Sequence, residues 1–181
     1  MSGTTKPTEL ISHLLSNATN LDVDKQLVAE DATYVSLNYN NPDLAAIEPW
    51  CGTHTKAGPE AIWKTFVDVN TYWKVLQFDT YAIFSDSGST DNFDTGLHGP
   101  EGKVGTNFGV FGRFKYRART TGLITDSPFC VWARIDESKG KVTYMQFMED
   151  PLDTAKSFRK SGRMVYASNP EGGEVVVGDP E

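Results

Sequence analysis

The chain has 181 residues, 39% of them hydrophobic and 23% charged, with 17 Lys+Arg against 24 Asp+Glu and a formal net charge of -7. That length and balance predict one globular domain able to bury a sizeable core, and they argue against nucleic acid as a partner, because tracking a phosphate backbone takes clustered Lys and Arg. No apolar run approaches the roughly 20 residues that cross a bilayer, and residues 1–9 are polar with no signal-peptide stretch, so no membrane partner is expected and the expected setting is the cytoplasm.

Leu10, Ile11, Leu14 and Leu15 recur at helical spacing behind Thr8, predicting a first helix over 9–18 with Thr8 as its cap. Asn20 and Asp22 offer a cap for a second, carried by Val23, Leu27 and Val28 and ending near Asp31. Residues 32–39 follow as a strand of β-favouring side chains. Pro42, Pro49, Gly52 and Gly58 make 40–58 a long loop around Trp50. Pro59 then opens a third helix, in which Ile62, Trp63, Phe66, Val67, Asn70 and Trp73 recur at spacings of three and four and form an aromatic inner face.

From Val75 the period changes to two, predicting strands near 76–84, 107–119, 128–135 and 141–148. Residues 85–105, rich in Gly, Ser and Asp, read as a long insertion in a hairpin. A weak helix over 152–160 and a terminal hairpin over 164–177, turning at 169–173, complete the chain. Helices first and long strands later predict an α+β domain, with three N-terminal helices packed in a strongly curved, mostly antiparallel sheet. The domain covers 1–150, and 151–181 extends it.

Cys51 and Cys130 have neither CxxC nor Cys/His spacing, and no Gly-rich phosphate loop, nucleophile elbow, HExxH or calcium-loop pattern occurs. No metal and no cofactor are expected.

The junction Leu27-Val28-Ala29-Glu30-Asp31-Ala32-Thr33-Tyr34, the Gly52-Thr53 turn before Pro59-Glu60-Ala61-Ile62, and Gly140-Lys141-Val142 before the last long strand carry a resemblance in their order and spacing. Together they resemble the nuclear transport factor 2-like superfamily, and within it the SnoaL-like and ketosteroid isomerase-like branch. The resemblance implies a cone-shaped, cystatin-like fold with a pocket at its open end, and a homodimer paired through the convex sheet face. Function is less constrained, because the same cone hosts isomerases, cyclases, dehydratases, epoxide hydrolases and non-catalytic transport or dimerisation domains. In the ketosteroid isomerases an Asp takes the proton while a Tyr and a protonated Asp stabilise the enolate. Alignment on that branch places Ser36, Ser12 and Cys130 at those three positions, so the resemblance implies the cone without that triad.

On the same alignment Tyr34, Ser36 and Asn38 face the cone from the first strand, Val110, Gly112, Phe114 and Tyr116 from the third, Cys130 and Trp132 from the fourth, and Met145, Phe147 and Glu149 from the last. Alternation supports each set, and a slip of one residue would exchange a set for its neighbours. Glu149 either ends an apolar face as a desolvated acid or base, or marks the solvated end of a strand. Tyr34 and Tyr116 either donate to a developing oxyanion or pack their rings at a cavity edge. Asn38 either orients a substrate carbonyl or water, or starts the polar turn of Tyr39-Asn40-Asn41-Pro42. His54 lies in the loop at the expected mouth and is either a proton-transfer group or a solvated loop residue. Trp50, Trp63 and Trp132 either line the site or fill the core, and Ser36, Phe66, Phe114, Cys130, Met145 and Phe147 complete the expected substrate-binding set.

Arg113, Lys115, Arg117 and Arg119 alternate with Phe114, Tyr116 and Ala118, which places the charges on the outer sheet face, either solvated or paired across a dimer contact. The expected function is that of a cofactor-independent acid–base enzyme for a small, largely apolar, carbonyl- or hydroxyl-bearing metabolite, acting by isomerisation, cyclisation, dehydration or epoxide opening. Glu149, Tyr34, Asn38 and Tyr116 would be its catalytic groups. The alternative is a non-catalytic small-molecule-binding or dimerisation module.

Overall fold

A computed structural model describes residues 6–55, 57–86, 105–168 and 172–178. The first helix, α1 (Pro7–Ser16), starts two residues ahead of expectation. Pro7 presets the helical φ at the first position and Lys6 precedes it without a side-chain cap bond, so Thr8 lies inside the helix rather than capping it. Leu10, Ile11, Leu14 and Leu15 are buried. Helix α2 (Leu21–Leu27) is capped by Asn20, whose side chain accepts from the Asp22 amide. It stops at Leu27 rather than near Asp31, because Val28 already pairs with Val142 and β1 (Val28–Ser36) begins there.

The expected loop contains two short elements. Asn41 accepts from the amides of Asp43 and Leu44 and caps α3 (Pro42–Ile47), while β2 (Gly52–His54) pairs antiparallel with β1. The Asn-Pro-Asp start signal stands in the sequence, but six helical residues are too few to show an apolar period. Helix α4 (Gly58–Tyr72) follows as expected and packs against β1, α2 and β3.

Strands β3 (Trp73–Ser85), β4 (Thr106–Ala118), β5 (Ile124–Asp136) and β6 (Lys141–Glu149) lie close to their predicted places. With β1 and β2 they form a curved, unclosed six-stranded sheet in the order β2-β1-β6-β5-β4-β3. Only the β1–β6 pair is parallel. Gly112 sits where a Cβ would collide with the Phe129 ring and the Asp79 carbonyl, so its missing side chain lets β3, β4 and β5 close at that point.

Helix α5 (Pro151–Lys156) is capped by Asp150 and tied to the sheet through Asp153, which accepts from Thr125 Oγ1 and the Asp126 amide. Buried Trp73 Nε1 donates to Ser157 Oγ at 2.9 Å just beyond that helix. Strands β7 (Met164–Tyr166) and β8 (Val175–Val177) pair as a separate hairpin. Most of the expected 85–105 insertion, and residues 169–171 of the terminal turn, lie outside the described residues.

Three residues of the basic stripe, Arg113, Lys115 and Arg119, find partners within the chain. Arg113 makes a two-pronged contact with Asp126 on β5 at 2.5 and 2.7 Å, Lys115 reaches the same carboxylate at 3.2 Å, and Arg119 Nε donates to the Asn70 carbonyl. No helix among the described residues is long and apolar enough to cross a membrane.

Candidate active site

Between the inner sheet face and α4 lies a narrow cavity with a volume of ≈ 30 Å³. Tyr34 and Ser36 enter it from β1, Phe114 and Tyr116 from β4, and Phe147 and Glu149 from β6. Thr65, Phe66 and Val69 close it from α4, with Trp50, Leu37 and Trp73 at its ends. A second space of ≈ 340 Å³ shares Phe66, Val69 and Tyr116 with it and continues toward α1. The walls are mostly rings: Phe147 meets Phe66 edge-on at 6.0 Å, and Phe114 stacks on Tyr116 at 4.4 Å.

Into this apolar space the chain places one carboxyl and two phenols. Burial raises the Glu149 carboxyl well above the usual carboxylate range, and the negative charges of Glu48, Asp150 and Asp153 raise it further, against a weaker opposing effect of the Thr154 hydroxyl. Burial also pushes both phenols above their ordinary range; Ser36 opposes this at Tyr34, and the charge of Glu149 adds to it at both. Tyr34 and Tyr116 therefore keep their protons at physiological pH, and the Glu149 carboxyl is held toward its protonated form.

Glu48 is the group that the sequence reading missed. It is 0% exposed, and burial pushes its carboxyl up to about 7, with the Thr154 hydroxyl and Cys51 thiol acting against that rise. Cys51 Sγ lies 3.5 Å from Glu48 Oε2. Burial first, then Glu48, raises that thiol above its ordinary range, so Cys51 is neutral and not a nucleophile. The negative charge of Glu48 is the second cause, after burial, of the rise at Glu149. The available signal was a carboxylate between Ile47 and Pro49-Trp50-Cys51, an otherwise apolar run.

Several expected site residues lie elsewhere. Leu37 takes a left-handed backbone with φ 59, and its amide donates to Phe147 O while that of Asn38 turns back to Ser36 O. Asn38 therefore leaves the strand exposed, its side chain accepting from the Asn40 amide in a polar turn rather than reaching the cavity. On β5 the expected faces are exchanged. Phe129, Val131 and Ala133 are buried in the core, whereas Cys130 and Trp132 face the convex side, where Trp132 packs edge-on to Tyr144 and donates to Asn107. Asp126 and Arg134 share the alternation of Cys130 and Trp132, and these charges were the sequence signal for that outer face.

Met145 is fully buried in the core beneath the cavity, and Trp63 is half-buried on α4; neither lines the cavity. His54 stands opposite Tyr34 across the β1–β2 ladder, its ring 6.0 Å away and 18° from parallel, with Nε2 3.2 Å from the Trp50 carbonyl. It supports Tyr34 from behind and does not line the cavity.

No protein-family model matches the chain. Patulin synthesis protein F of Aspergillus clavatus is 38% identical over 154 residues, which cover 84% of this chain and 68% of that protein. The chain belongs to the patulin synthesis protein F family. Patulin biosynthesis cluster protein F of Penicillium expansum, 34% identical over 170 residues, covers 92% of this chain and 76% of its own length. Among solved structures, a nuclear transport factor 2-like protein of Burkholderia thailandensis superposes with a TM-score of 0.60 at 16% identity, over 85% of this chain and 98% of that one. IdmH of Streptomyces antibioticus, a candidate polyketide cyclase, gives 0.55 at 10% identity, over 84% and 97%. This member of the patulin synthesis protein F family thus has the nuclear transport factor 2-like cone fold.

Proposed function

We propose that this protein is a cofactor-independent acid–base enzyme of secondary metabolism, acting on a small oxygenated intermediate of patulin-type biosynthesis. The observation that carries this reading is the Glu149 carboxyl, lining one largely apolar cavity with the Tyr34 and Tyr116 phenols and biased by burial toward its protonated form. Such a carboxyl gives its proton to a carbonyl, epoxide or hydroxyl oxygen, and the two phenols donate to the same oxygen as negative charge develops there. The carboxylate left behind takes a proton from the adjacent carbon, so that isomerisation or ring opening and closure proceeds with protons and electrons balanced. The Phe114 and Phe147 rings on the walls favour a flat, compact substrate and keep bulk water out. The family names supply the metabolic context.

The test is turnover of epoxide- and carbonyl-bearing patulin precursors by the purified chain and by Glu149→Gln. Loss of turnover with the fold intact supports the reading, and equal turnover rejects it. Stabilisation by such molecules with no turnover favours the non-catalytic alternative. We further propose that the protein pairs as a homodimer through its convex sheet face. There Phe84 and Phe111, 63% and 47% exposed, meet edge-on at 5.9 Å and give a second copy an apolar surface to cover.

A further inference from the structure

Trp50 and Trp73, which both line the cavity, are buried and meet edge to face with ring centres 5.1 Å apart. Phe158, from the segment that follows α5, stands behind them. Its ring lies 4.6 Å from Trp73, 6.2 Å from Tyr72 and 6.5 Å from Trp50. Phe158 is half-buried and does not itself line the cavity. Its segment is firmly held: the amides of Ser157 and Phe158 donate to the carbonyls of Thr154 and Ala155, and Thr121 Oγ1 donates to the Ser157 carbonyl at 2.6 Å. Ser157 Oγ accepts from Trp73 Nε1 at 2.9 Å and donates to the Thr154 carbonyl at 2.7 Å. One residue thus fixes the edge of the Trp73 indole, and the next packs against its ring.

A cavity of ≈ 30 Å³ has room for about two water-sized groups, so only the reacting end of a substrate enters it, and the rest extends into the adjoining space of ≈ 340 Å³. In so small a space the position of one wall decides how far that end advances beside Glu149. Among the described residues no Lys or Arg lines either space, so nothing there selects for an anion. We propose that Phe158 is a positioning residue that determines specificity: acting through Trp50 and Trp73, it fixes their wall and limits the site to a neutral, oxygenated substrate of a single ring. This rests on the reading of the cavity as the substrate site. Removing the phenyl ring leaves a void that its surroundings fill only in part, and the two indoles can then retreat from the cavity into it. The size limit therefore comes from a segment outside the six-stranded sheet.

The experiment is calorimetric titration of the whole chain, of Phe158→Leu and of Phe158→Ala with two neutral ketones, the single-ring cyclohex-2-enone and the fused two-ring 1-tetralone. The unsubstituted chain should prefer the smaller ketone, and Phe158→Leu, which keeps most of the apolar bulk, should retain that preference. Phe158→Ala should move the ratio of the two dissociation constants toward 1-tetralone by about 10-fold or more, the discrimination that an apolar pocket draws from a methylene or two. A purely structural role would weaken both ketones alike, so an unmoved ratio would overturn the proposal, as would binding of neither ketone by any of the three proteins. Should Phe158→Ala fail to fold, Phe158→Val takes its place, with a smaller shift in the same direction expected and an unmoved ratio again overturning the proposal. The readout is binding, so it can fail while Glu149→Gln still loses turnover, or succeed while Glu149→Gln keeps it.

Discussion

Phe129 stands directly opposite Glu149 in the antiparallel ladder of β5 and β6. That pairing sets the faces of the site: it places the Phe129 ring 5.2 Å from Phe147 and 4.7 Å from Phe78, stacked on both. The layer of rings beneath the carboxyl removes water from one side of it, and desolvation is the largest cause of its raised pKa.

Phe129→Ala should therefore remove a buried stack and cost about 3–5 kcal/mol of stability. Cys130→Ala, one residue along on the convex side, should cost less than about 1 kcal/mol. Urea unfolding of the two variants checks the order, and equal losses would contradict the β5 register.

Tyr34→Phe and Tyr116→Phe each delete a donor aimed into the cavity while keeping the ring. Each should lower kcat about 10²-fold, with a smaller change in KM, if the hydroxyls stabilise charge that develops during reaction. Asn38→Ala should leave kcat unchanged, because its amide is spent on the turn at Asn40. Steady-state kinetics on the same precursor panel separates the three.

Asp24 in α2 is 0% exposed, both its carboxyl oxygens lack partners, and burial pushes it up to about 7 from an ordinary 3.8. Between those two values the folded chain holds a proton that the unfolded chain has released. Stability must fall as pH rises through that window and level off above it. Glu48, pushed up to about 7, contributes in the same direction. Asp24→Asn should then match the unsubstituted chain near pH 4 and exceed it by about 1–3 kcal/mol at pH 8. Denaturant titrations at the two pH values decide this, and a variant weaker at pH 8 would show that the carboxylate has a partner.

The proposed pairing predicts a solution mass twice that of the chain by light scattering. Phe111→Glu, which places a charge in the exposed patch beside Phe84, should halve that mass and leave the far-UV circular dichroism unchanged. A monomeric unsubstituted protein would dismiss the pairing.

How far the sequence could be read depended on whether charge and apolarity alternate. On β4, Arg113, Lys115 and Arg117 alternate with Phe114 and Tyr116, so the two faces were legible, and the alignment that turned Tyr116 inward agrees with the cavity lining. On β5 both parities carry apolar side chains between Pro128 and Ala133, so the alignment chose the wrong face for Cys130 and Trp132. Asn38 was lost to a left-handed Leu37, which no propensity foretells for a bulky residue.

By itself the sequence determined the longer helices and strands and their order, because periodicity and turn residues act over a few positions, while the cone was implied by the resemblance. Only the tertiary structure decided that Tyr34, Tyr116 and Glu149 line one cavity and that Glu48 is sealed from solvent. Those residues come from two strands, a strand end and the segment after a short helix, and the burial that changes their chemistry exists only once the sheet and helices have closed around them.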